Sequence, residues 1–77
     1  MNDLQMLTRD EVAELFNVYK DTVTMWREVG ILKAIKTGRS YMYSQSAIKR
    51  FQHDYEGLDV SNKVKALESY KKVNNIN

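Results

Sequence analysis

Residues 7 to 43 hold two short stretches of helical apolar spacing separated only by Asn17-Val18-Tyr19. Gly30-Ile31-Leu32 and a compact basic reversal, Ala34-Ile35-Lys36-Thr37-Gly38-Arg39-Ser40-Tyr41, follow at once. That order leaves the chain little freedom, because the two helices meet at an angle that Val18 plugs. Thr8 with Glu11 three residues on forms a capping box, and Leu7 and Val12 stand at the positions of a hydrophobic staple. Val12, Leu15 and Phe16 make one apolar stripe with Glu11 and Glu14 turned away, and the spacing predicts a helix over 9–16. The second helix runs from Lys20 to Val29 and ends on Gly30 as a left-handed cap. At about 100° per residue, Thr22, Val23, Trp26 and Val29 cluster on one side of it, with Lys20, Asp21, Thr24, Arg27 and Glu28 on the other. Trp26, three residues after Val23, is assigned to the core rather than to ligand stacking.

Ile31 and Leu32 continue the core, and residues 34–43 read as a hairpin folded about Thr37-Gly38-Arg39-Ser40, where Gly38 supplies the positive φ of a tight reversal. Tyr41 and Tyr43, two apart, share a face and lean toward the body. Ile35 joins Val12, Phe16, Val23 and Trp26 in holding the helices and hairpin together. Lys36, Arg39 and Ser40 are left at the tip or outer edge. Ser44 caps a third helix, stapled by Tyr43 and Ile48, that carries Ile48, Phe51 and Tyr55 on one stripe and ends at Gly57. His53, among Lys49, Gln52 and Asp54, reads as a solvated surface residue rather than a ligand or general base. Beyond it, Ser61 is expected to cap a fourth helix with Val64, Leu67, Tyr70 and Val73 on its stripe. So short a helix is marginal alone, so it docks, pairs with another copy or frays, and docking or pairing is the expectation for residues 61–73. Asn74 to Asn77 are expected to be loose. The chain thus divides into a domain over 1–57 and a helical tail over 58–77.

Composition sets the outer limits. A chain of 77 residues supports one small core and no large catalytic cleft. There is no cysteine, which excludes disulfides and thiolate zinc sites and suits a reducing cytoplasm. Residues 1–6 show no basic stretch followed by an apolar run, and the sequence nowhere offers the roughly 18 apolar residues of a membrane span. Neither export nor membrane insertion is expected. With one surface histidine, no phosphate-cradling glycine loop and no convergent carboxylates, no enzyme, cofactor or metal site is expected either. Net charge is only +2, but it is unevenly spread. Asp3, Asp10, Glu11 and Glu14 oppose Arg9 in residues 1–16. In residues 17–43, Lys20, Arg27, Lys33, Lys36 and Arg39 outnumber Asp21 and Glu28.

Taken together, Leu7-Thr8-Arg9-Asp10-Glu11-Val12-Ala13-Glu14-Leu15-Phe16, Val18-Tyr19-Lys20-Asp21-Thr22-Val23, Trp26, Gly30-Ile31-Leu32 and Ala34 through Tyr41 resemble the excisionase-type branch of the MerR-like winged-helix proteins, over residues 7 to about 56. The resemblance implies a mainly α fold with a small β-hairpin, a winged helix-turn-helix followed by a C-terminal helix. It also implies a duplex-DNA-binding role. The second helix becomes the recognition helix, with Tyr19, Lys20, Asp21, Thr22 and Thr24 near the end that enters DNA, and Lys36, Arg39 and Ser40 match the wing. Arg27 and Lys20 would chiefly hold phosphates, while Thr24, Asp21 and Lys20 would meet base edges. Two positions depart from the pattern: Tyr19 replaces a small hydroxyl cap, and Met42 stands where such wings commonly carry a basic residue. The sequence shows no long coiled coil or effector domain, so a small-molecule sensor is not expected. Partners implied by the family are duplex DNA, an integrase or recombinase, and further copies of the chain. Alternatives are a small transcriptional regulator of a mobile-element promoter, a protein-interaction adaptor and a terminase-small-subunit-like module.

Overall fold

Thr8 decides where the first helix begins. In the computed structural model, which describes residue 2 and residues 4–75, its Oγ1 accepts the Glu11 amide at 3.1 Å, while the Glu11 carboxylate accepts the Thr8 amide at 2.9 Å. Helix α1 follows over Arg9–Phe16 and stops at Asn17, whose left-handed φ of 57° turns the chain. Asparagine tolerates that conformation better than most residues because its short amide bonds locally. Helix α2 spans Lys20–Val29 and ends on Gly30 at φ 98°.

Three short strands, β1 (Leu7–Thr8), β2 (Ile35–Lys36) and β3 (Tyr41–Tyr43), form an antiparallel sheet in the order β1-β3-β2. The expected hairpin is β2-β3, and β1 is an addition to it. Its register sets Leu7 opposite Tyr43, so the two staple residues that open the first and third helices stand side by side on one face of the sheet. Helix α3 covers Gln45–Asp54, with Ser44 Oγ accepting the Ala47 amide at 3.1 Å. It closes on Tyr55, ahead of Gly57. Helix α4 covers Lys63–Val73 and is capped by Asn62, not Ser61. Ser61 is engaged elsewhere, donating its amide and hydroxyl to the Asp59 carboxylate at 2.9 and 2.6 Å. Those bonds hold the Asp59 carboxyl below its ordinary pKa. Asn74 and Asn75 form a turn after α4, whereas Ile76 and Asn77, like Met1 and Asp3, lie outside the described residues.

The core gathers Leu7, Val12, Ala13, Val23, Trp26, Ile31, Leu32, Tyr43, Ile48, Phe51, Tyr55 and Ala66. At its centre Trp26 meets Phe16 edge-on at 5.4 Å and Phe51 at 4.8 Å between ring centroids, geometries that suit aromatic quadrupoles. Several expected contributors are missing from it. Leu15 is 55% exposed, whereas Val12 and Ala13 on the same helix are buried and α1 packs against α2. Ile35 is 54% exposed, because β2 is an edge strand carried beyond the body. On α4, Val64 and Leu67 face outward while Ala66 and Ser69 are buried. Small residues win there because α4 lies close against α2, with Tyr70 beside Gly30. Ser69 Oγ donates to the Asp59 carbonyl at 2.7 Å, and Trp26 Nε1 donates to the Val60 carbonyl at 2.8 Å.

Residues 58–73 therefore form one wall around Trp26. Ending the chain at Gly57 is expected to lower stability by about 3 kcal/mol or more, the scale of re-exposing one or two large side chains. Urea denaturation followed by Trp26 fluorescence measures this, and an unchanged midpoint would show the wall to be dispensable.

Candidate nucleic-acid interface

Helix α2 packs against α1 and α4, and its outer face carries Lys20, Asp21 and Glu28 exposed with Thr24 and Arg27 half-buried beside them. The spacing of these residues on the wheel is why one side of the helix is polar. Tertiary packing adds a second wall. The wing turns back at Thr37, whose amide donates to the Ser40 carbonyl at 2.9 Å, and Gly38 takes φ 113° at the tip. This returns Arg39 and Ser40 to a groove whose other side is built by Thr24 and Arg27 of α2 and by the first residues of α1.

Within that groove the side chains are held rather than loose. The Arg27 guanidinium lies 3.8 Å from the centroid of the Tyr41 ring, a cation–π stack, and Lys36 Nζ approaches the same ring at 6.0 Å. Arg9 Nη1 donates to Thr24 Oγ1 at 3.2 Å, which ties the start of α1 to the middle of α2. Tyr43 is wholly buried, and its hydroxyl has no hydrogen-bond partner. Burial pushes this phenol above its ordinary pKa, and the Arg27 guanidinium facing it, with the charge of Arg9, offsets only part of the rise.

Of the residues singled out in the sequence, Thr24, Arg27, Arg39 and Ser40 come together along the groove. Lys20 and Asp21 stand exposed at the N-terminal end of α2, and Lys36 stands on the wing strand. Tyr19 and Thr22 go elsewhere. Tyr19 is 86% exposed and makes no side-chain cap, and with Thr22 it lines a separate hollow beside Val18, Trp26 and Ser61. Sequence reasoning missed Arg9, Tyr41 and Tyr43 as groove residues. Arg9 read as part of an acidic stretch, and nothing local shows that it reaches Thr24 fifteen positions on. The tyrosines were legible as strand residues, but their pairing with Arg27 depends on how the wing packs. Among the described residues, no group of three or more metal-ligating side chains comes together, and no helix is long and apolar enough to cross a membrane.

A family model described as helix-turn-helix domain matches residues 6–54, more than half of the chain. The chain belongs to the helix-turn-helix domain family. Its matched region contains α1, the turn at Asn17, α2, the wing and α3, and the helix-turn-helix is a DNA-binding one with α2 as its second helix. No curated protein and no solved structure matches this helix-turn-helix chain.

Proposed function

We propose that this helix-turn-helix protein is a non-enzymatic architectural factor of a phage or other mobile element that binds duplex DNA sequence-specifically. In this reading it is an excisionase, bending DNA in the cytoplasm and directing an integrase toward excision. The supporting observation is the groove shared by α2 and the wing, which sets Thr24, Arg27, Arg39 and Ser40 side by side. A B-DNA major groove about 12 Å wide admits α2, and only there are all four base pairs distinct. Asp21, Thr24 and Lys20 then meet base edges, and Lys20 and Arg27 hold phosphates. Arg39, with Lys36 and Ser40, brings the wing to the adjacent minor groove, where narrow A·T-rich stretches concentrate negative potential. Tyr19 and Thr22 border the N-terminal mouth of α2 on its other flank.

A single module makes few contacts, so several copies on phased sites, or a dimer, supply useful affinity. Together they offset the roughly 1–6 kcal/mol of a moderate bend. Footprinting on the element's own DNA tests the reading: phased direct repeats beside a recombination site support it. An inverted repeat over a promoter makes the protein a regulator instead, and activity that survives alanine at Lys20, Thr24 and Arg39 makes it an adaptor. Arg39→Ala is expected to weaken binding up to about tenfold on every sequence, as loss of a phosphate contact does. Selection from a random duplex library checks this, and an altered consensus would contradict it.

A further inference from the structure

The Tyr43 hydroxyl is, among the described residues, the one buried side-chain polar atom without a hydrogen-bond partner. A hydroxyl left so works against the fold, and phenylalanine would fill the same space without that cost. The groove that Tyr43 lines also carries Arg9, Arg27 and Arg39, with Asp10 as its only carboxylate. Asp10 lies 3.8 Å from Arg9 Nε on the exposed side and leaves the three guanidiniums in excess. Two of the three are already oriented, Arg27 by the Tyr41 ring and Arg9 by Thr24.

We propose that this groove seats a single backbone phosphate, held by Arg9, Arg27 and Arg39 with the Tyr43 hydroxyl as its buried donor. The proposal rests on the duplex-binding reading above and adds Arg9 and Tyr43 to the interface. Guanidiniums suit the task because their fixed fork matches phosphate oxygens, and a phenolic proton donates to the same anion. The hydroxyl has no exposed surface in the free protein, so its contact with the phosphate requires a side chain lining the groove to shift. The seat joins the start of α1, the middle of α2 and the wing, so one phosphate fixes all three against the duplex.

The test uses the full chain and a short mixed-sequence duplex, with binding followed by fluorescence anisotropy across a salt series. Tyr43→Phe is expected to keep or raise the urea midpoint while weakening duplex binding about tenfold. Arg9→Ala, at an exposed position, is expected to keep the fold and to flatten the slope of log affinity against log salt by about 0.9, the share of one cationic contact. Wild-type affinity in Tyr43→Phe, or an unchanged salt slope in Arg9→Ala, overturns the seat and leaves the duplex reading standing. Parallel loss of stability and affinity in Tyr43→Phe assigns the hydroxyl to the fold and overturns it as well. A wild-type chain without salt-dependent duplex binding removes the underlying reading and the seat with it.

Discussion

Trp26→Ala is expected to leave the chain largely unfolded at room temperature. Trp26 is 3% exposed, packs against Phe16 and Phe51, and donates its indole proton to the Val60 carbonyl. Truncating a buried tryptophan to alanine costs about 3–5 kcal/mol. A domain of this length holds only about 4–12 kcal/mol in total, at 0.05–0.15 kcal/mol per residue. The same substitution also strands the Val60 carbonyl and frees the wall formed by residues 58–73. Far-UV circular dichroism with urea titration reads the outcome, and a midpoint within about 1 kcal/mol of wild type would show that the aromatic centre is not what holds α1, α2 and α3 together. Trp26→Phe should fall between the two, keeping part of the ring contact while losing the hydrogen bond.

The affinity of the wild-type chain for duplex DNA is expected to drop about a hundredfold between low and moderate salt. With Lys20, Arg27, Lys36 and Arg39 each contributing one cationic contact to the phosphate backbone, the slope of log affinity against log salt is about −3.6, so a fourfold rise in salt lowers affinity by roughly two orders of magnitude. The small net charge of +2 does not soften this, because the effect counts local phosphate contacts rather than the total. Exposed Asp21 and Glu28 on the same helix face lower non-specific attraction, and a carboxylate there accepts from cytosine N4 when the sequence is right. A flat salt response would refute an electrostatic duplex interface on this surface.

The bounds of α1 and α2 and the start of α3 were legible in the residues themselves. Thr8 and Glu11, Ser44 and Gly30 act within a few positions of where they stand, through hydrogen bonds and a positive φ that need no distant partner. The failures share one physical origin. Periodicity shows that a helix has an apolar side, but which residues are covered depends on how closely the neighbouring element approaches. On α1 the smaller Ala13 is buried and Leu15 is not, and on α4 Val64 and Leu67 lost their places to Ala66 and Ser69 where α4 lies tight against α2. Ile35 has the right strand propensity on a strand that nothing covers. Asn62 displaced Ser61 as the cap of α4 because Ser61 was already bonded to Asp59.

The candidate interface divides the same way. Alternation of polar and apolar residues along Lys20–Val29 is a local property, so the outward face of α2 could be read from order alone, as could the basic tip at Arg39. The groove could not. Arg9 meets Thr24, and Arg27 meets Tyr41, only after α1 has crossed α2 and β3 has paired with both β1 and β2. By itself the sequence determined two capped helices, a short turn, a hairpin and a polar helix face, because each follows from interactions spanning one turn of chain. The tertiary structure alone decided which side chains close the core and which converge on one groove, because those depend on contacts between residues far apart in the chain.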